Sequence, residues 1–264
     1  MWIGICPKNL RGILNSEKGV ETFSFLEDAV NNYLSLYSLL FLIYAVSFTL
    51  ISSFFHYKNL LKKFDNDFKA FIHYFVYFSL FLLIFPVIGI FLYSPHPLEV
   101  LKDLGFRFGN YKIWLIVIVI SIPISAVSGY ITSNDRKLKK FYPFSKNACR
   151  SLKTFIIYEI FYLFLYYIAW EFTFRGVILF SIAEMMGHSK SGILIAILIQ
   201  TIISTVYHLG HPESEIFGSF VGGIIFGVIA YTTKSFLYTL FIHALIGIVN
   251  DTFIYIRYYK KNEM

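Results

Sequence analysis

Glu171 and Arg175 stand in a run of aromatic and aliphatic residues long enough to cross a bilayer, within the segment Trp170-Glu171-Phe172-Thr173-Phe174-Arg175-Gly176. Each costs at least ~2.5–3.5 kcal/mol at the centre of a membrane helix. Four residues apart on a helix, they share a face and can pair. An intramembrane acid with a fixed partner is by default the mark of a functional site. Two histidines, His208 and His243, fall in two further apolar runs. Three helices that each bury a polar group point to one shared interior site, and the chemistry open to it is hydrolysis. Glu171 in a low-dielectric pocket serves as general base near neutral pH. One neutral imidazole helps position the attacking water, and another donates to the developing oxyanion. Such a set hydrolyses an amide without a nucleophilic Ser or Cys.

Other polar residues accompany these. His211 and Glu213 follow His208, with Glu213 as an alternative acid; Asn250 and Asp251 follow His243. Glu159 stands twelve residues before Glu171, about 18 Å along a continuous helix, and is expected as a hydrogen-bonded residue inside the bundle. The same residue types permit a metal reading, in which His208, His243 and Glu171 hold a divalent ion such as zinc, with His211 and Glu213 nearby. HExxH and CxxC are both absent, so the reading without a cofactor is preferred and the metal is the minority alternative. Cys6 and Cys149 make no disulfide framework. A proton-coupled transporter relaying through Glu171, His208 and His243 is a further alternative, weakened by the lack of inverted-repeat symmetry.

The elements that position these groups follow from composition. Hydrophobic types make up 57% of the 264 residues and charged types 15%, against ~25% charged in soluble domains, so lipid is the expected solvent. Apolar runs fall at roughly 33–55, 68–93, 111–132, 154–183, 191–209, 215–232 and 236–257. At about 20 residues per crossing, they predict an all-α polytopic transmembrane bundle of about seven (six to eight) helices. The domain layout is a polar segment 1–32, a single membrane domain 33–257 and a basic tail 258–264. Residues 1–31 lack the apolar stretch of a signal peptide, so the first membrane helix is expected to serve as the targeting signal. The glycine-rich run with Gly218, Gly222, Gly223 and Gly227 is expected to lie inside the bundle.

The net charge of +7 gathers in loops: Arg136, Lys137, Lys139, Lys140, Lys146 and Arg150 in one, Lys58, Lys62 and Lys63 in another. This is the pattern of cytoplasmic loops rather than of nucleic-acid binding. The expected partners are the lipid bilayer and a membrane-associated protein or peptide, with no nucleic acid. Taken as simple crossings, the runs at 154–183 and 191–209 place Glu171 and His208 near opposite sides of the hydrocarbon. A shared site then requires the first run to break or the second helix to be displaced.

By order and spacing these residues resemble the CAAX protease and bacteriocin-processing (CPBP) family of intramembrane endopeptidases. That family shows Glu-Glu-x-x-x-Arg, then Phe-x-x-x-His, then His-x-x-x-Asn or Asp, each on a separate membrane helix. Glu171, Arg175 and Gly176 match the second Glu, the Arg and the usual Gly; His208 and His243 match the two histidines. The likeness extends through Asp103-Leu104-Gly105-Phe106, Phe141-Tyr142-Pro143 and the stretch from His211 to Gly223, over a core of about 95–255. It implies an intramembrane peptidase in a prokaryotic cytoplasmic membrane. Three positions depart: Trp170 stands where the first Glu is expected, Ser204 where an aromatic is expected, and Gly247 where Asn or Asp is expected. They suit either an inactive relative that binds a peptide or a variant, of WEFxFRG type, in which neighbours take over. For the variant, Asn250 lies within about 20° of the His243 face and could supply the missing amide, while Asp251 is about 80° off and only auxiliary, as is His211.

Overall fold

The computed structural model describes residues 36–259. The polar segment 1–32, Cys6 and most of the tail 258–264 lie outside them. Each of the seven apolar runs is a helix: α1 Leu36–Ser53, α2 Asp67–Tyr93, α3 Tyr111–Asn134, α4 Leu152–Met185, α5 Lys190–Val206, α6 Glu213–Thr233 and α7 Leu237–Tyr259. All but α5 are long and apolar enough to cross a membrane. The protein is a polytopic helical membrane bundle, and no strand occurs among the described residues.

Local chemistry starts the helices where the apolar runs begin. Backbone N–H groups at a helix start need acceptors, and side chains of Asn66, Asn110 and Ser189 supply them for α2, α3 and α5. Ser151 and Thr154 form a reciprocal capping box at the start of α4. The acidic Glu213 and Glu215 sit in the first turn of α6, where the helix dipole favours negative charge.

α4 is the central helix. Every residue from Phe172 to Ile178 is buried, because α2, α5, α6 and α7 pack around it. Gly176 leaves room for the Leu104 carbonyl, which a Cβ there would meet at 3.1 Å. The Asp103-to-Phe106 stretch folds over this point, and the Gly105 carbonyl accepts from Phe236 N–H at 3.3 Å. Gly105 has φ +87°, a left-handed conformation that glycine adopts without steric cost.

The depth of the site is resolved without a break. α4 is 34 residues long, ~51 Å at 1.5 Å per residue, and so overshoots a ~30 Å hydrocarbon layer. It continues through two wider π-helical stretches, Tyr162–Tyr167 and Phe172–Ile178. α5 returns beside it after a short turn, so depth is counted from that turn. Glu171 lies ~21 Å along α4 and His208 ~27 Å along α5. The expected choice between a broken α4 and a displaced α5 is therefore corrected: the extra length of α4 lies on its Leu152 side.

The glycine-rich helix is also not as expected. Only Gly223 and Gly227 lie against α5, where an added Cβ would meet Thr201 at 2.9 Å and Gln200 at 2.7 Å. Gly218 and Gly222 face open space, and only Gly223, Gly227 and Ala230 of α6 are buried. Small residues permit close approach on the stripe they occupy; they do not bury the rest of the helix.

Candidate active site

Glu171 is the most enclosed carboxylate of the site. Its side chain is 0% exposed, and both oxygens are engaged. Oε1 lies 2.7 Å from His243 Nδ1 and 3.3 Å from Arg175 Nη1. Oε2 accepts from the Thr239 hydroxyl at 2.8 Å. Thr239 and His243 are one α-helical turn apart on α7, so one face of that helix clasps the carboxylate from both sides. Arg175 Nη1 and Nε have no aligned hydrogen-bond acceptor, so the ion pair is held by charge and enclosure rather than by directed hydrogen bonds.

Trp170 links this pair to His208. Its indole meets the His208 ring at 5.1 Å and the His243 ring at 6.4 Å, edge-on in both cases. It is held in turn by stacking on Phe78 and Tyr166. The Trp170 Nε1–H is buried with no hydrogen-bond partner, a donor without an acceptor beside two imidazoles. The two π-helical stretches bracket this turn of α4, as such widenings frequently do at functional sites.

His208 lies in the turn after α5. Its Nδ1 approaches the Ser204 carbonyl at 2.8 Å, which makes Nδ1 the protonated nitrogen and leaves Nε2 free. Burial pushes its pKa down to about 4, so the ring is neutral at pH 7. His211 packs on it, ring to ring, at 5.2 Å. His211 Nδ1 is 2.9 Å from Glu215 Oε1, and that oxygen also accepts from the Tyr142 hydroxyl. Burial, then the Glu215 charge, holds the Tyr142 phenol well above its ordinary pKa, so it remains a donor. A cavity of about 480 Å³ adjoins this cluster, and Tyr166, Tyr207, His211, Lys58, Lys140 and Lys146 are among its lining residues.

The sequence-derived candidates thus divide. Glu171, Arg175, His208 and His243 converge around Trp170, and His211 adjoins them. Glu213 does not: its side chain is 89% exposed and pairs with Lys137 at 3.6 Å. Asp251 is buried beside Glu159; Glu159 is interior as expected, but neither of its carboxylate oxygens has a hydrogen-bond partner, and its neighbour is this second acid. Asn250 lies about 10 Å along the helix from His243, and its Oδ1 is buried without a partner. The zinc set of His208, His243 and Glu171 is not gathered as ligands; among the described residues the group with metal-binding spacing is His208, His211 and Glu215. Burial pushes the Cys149 thiol up to about 12, in keeping with a cysteine that has no chemical role.

Sequence reasoning missed four contributors. Glu215 is four residues beyond His211, and Thr239 is four before His243, so helical spacing could have found both. Tyr142 comes from a distant loop and carries no such signal. Tyr167 explains Gly247: its hydroxyl occupies the space a Cβ at 247 would need, and its ring packs on His243 at 4.9 Å. A hydroxyl from α4 thus stands where a side-chain amide was expected from α7. Gly247→Ala should force Tyr167 aside and destabilise the protein by about 1–3 kcal/mol, read as a lower unfolding midpoint in detergent. A Gly247→Ala, Tyr167→Phe double variant should recover only part of that loss, because ring carbon Cζ still stands 2.7 Å from the added Cβ.

Residues 152–249 match the family model for type II CAAX prenyl endopeptidase Rce1-like proteins. No curated protein and no solved structure matches the chain. Trp170, Glu171, Arg175, His208 and His243 all lie inside the matched segment, and that segment of the membrane bundle is Rce1-like, consistent with the CPBP family and with a membrane protease.

Proposed function

We propose that this protein is an intramembrane endopeptidase that hydrolyses a peptide bond of a membrane-associated protein or peptide by activated water. The observation that carries the reading is the 2.7 Å contact of Glu171 Oε1 with His243 Nδ1, inside a membrane bundle and near a second histidine. Glu171 was the expected base, but its oxygens are sealed from water. The geometry favours a different division of labour. Glu171 orients His243, leaving Nε2 of the 26% exposed imidazole to take a proton from water. His208, whose ring lies against Trp170, is assigned to position that water, and the Trp170 Nε1–H, buried without a partner, is assigned to the oxyanion once substrate displaces the packing around it. The proton accepted by His243 then passes to the leaving amine. Arg175 neutralises Glu171, and Asn250 is assigned no contact with the reacting atoms.

A second reading is favoured by one observation. Trp170 stands where the family has a Glu, which suits a peptide-binding relative without catalysis. The two separate in one assay. Purified protein in detergent is presented with membrane-associated peptides, and cleavage is followed by mass spectrometry for wild type, His243→Ala and His208→Ala. Cleavage lost in His243→Ala and reduced at least ~10²-fold in His208→Ala is expected. Binding without cleavage by wild type would establish the second reading, and cleavage that survives both substitutions would remove the site. The basic loops 54–66 and 135–151 lie at the same end of the bundle as the 207–212 turn, and that end is proposed to face the cytoplasm of a prokaryotic membrane.

A further inference from the structure

His208, His211 and Glu215 are packed into eight consecutive residues, and the turn that joins them is made by glycine. Gly210 has φ +96°, and the His211 N–H donates to the His208 carbonyl at 3.0 Å, which folds the two imidazoles against each other. Pro212 then starts α6, whose first turn carries Glu215 back over His211. One nitrogen from each histidine and one carboxylate oxygen lie within 4.8 Å of one another. We infer that these three side chains form a binding site for one divalent transition-metal ion of the zinc type.

Several features argue for a ligand set rather than a hydrogen-bonded cluster alone. Ligand bonds of about 2.0–2.2 Å place tetrahedral donor atoms ~3.3–3.6 Å apart, so the set closes on an ion by shifts of about 1 Å. Outer partners are in place at both ends: the Ser204 carbonyl fixes the tautomer that leaves His208 Nε2 free, and Tyr142 holds one oxygen of Glu215. Such partners orient metal ligands generally. The other oxygen, Glu215 Oε2, is buried with no partner. Two imidazoles and one carboxylate, with a fourth position left for water, make up the donor set of hydrolytic zinc sites.

The chemistry this would supply rests on the peptidase reading; the binding does not. An ion here would lower the pKa of its bound water to about 7. That water would lose one proton to solvent, the hydroxide oxygen would add to the scissile carbonyl carbon, and the C–N bond would break to leave a carboxylate, with the hydroxide proton ending on the amine. No redox partner is needed. The ion would thus stand in for the carboxylate that Trp170 replaces.

The test uses untagged, full-length protein in detergent, stripped with a chelator and titrated with Co(II), with bound metal also counted by elemental analysis. The expected result is one cobalt per chain, with the visible absorption of a four- or five-coordinate ion. Affinity should fall at least tenfold in His211→Ala and in Glu215→Gln and stay at the wild-type level in His243→Ala. Glu215→Gln keeps an acceptor for Tyr142, and a monodisperse elution profile certifies each variant as folded. Wild type that takes up no stoichiometric cobalt, or folded variants that bind it as tightly, would overturn the site. Cobalt bound at these residues without any peptide cleavage would uphold the site and count against the peptidase. Cleavage by metal-free protein together with absent binding would do the reverse.

Discussion

Glu171→Ala is expected to abolish peptide cleavage and to destabilise the protein by about 3–5 kcal/mol, the cost of leaving one partner of a buried ion pair uncompensated. The two losses have different origins. Stability falls because Arg175, 4% exposed, keeps its charge with no counter-charge and no aligned acceptor. Activity falls because His243 loses the contact that fixes its ring. A second substitution separates them. In Glu171→Gln, Arg175→Met the buried charges are gone together, and replacing a buried ion pair by apolar side chains of similar volume is often neutral or stabilising. The double variant should therefore unfold near the wild-type midpoint in a denaturant titration of micelles and still fail to cleave. Recovery of cleavage to within a few-fold of wild type would show that Glu171 acts only as a structural counter-ion.

Trp170→Phe is expected to lower kcat by ~10²–10³ with little change in KM, the size of effect seen when one oxyanion donor is removed. The substitution keeps an aromatic ring against Phe78 and Tyr166, where the indole now stacks at 6.1 and 5.7 Å, so the packing change should cost less than ~1.5 kcal/mol. What it deletes is an indole N–H that is buried without a partner, on a ring that meets both histidines. A donor used only as charge develops on the carbonyl oxygen affects kcat rather than ground-state binding. A variant with wild-type kcat would make Trp170 a packing residue and leave the oxyanion without this donor.

The architecture was legible because the bilayer imposes it. Every backbone polar group in hydrocarbon must be satisfied within its own helix, so seven apolar runs read directly as seven helices. Glu171 and Arg175 were legible for a related reason: their cost in lipid makes them conspicuous, and helical spacing pairs them. His208 and His243 stood out the same way. The failures are equally physical. Asn250 shares the His243 face but sits about 10 Å along the axis, and its buried, unpartnered Oδ1 could not be read from spacing. Glu213 was named as the alternative acid and Glu215 was overlooked, although i,i+4 spacing from His211 points to Glu215. The glycines of α6 were read as a buried helix because composition does not say how wide a contact stripe is.

Sequence by itself therefore determined the helical membrane fold and the polar residues that have no business in lipid, since both follow from local chemistry and one solvent. Tertiary structure decided what each residue faces. That α4 overshoots the bilayer and levels Glu171 with His208, that Tyr167 fills the place of a side chain at Gly247, and that Glu159 meets Asp251 all depend on how helices are displaced along and around one another. Hydrophobic periodicity is nearly indifferent to such sliding in lipid, where every apolar face is equally solvated, so interhelical packing alone sets the register that assembles the site.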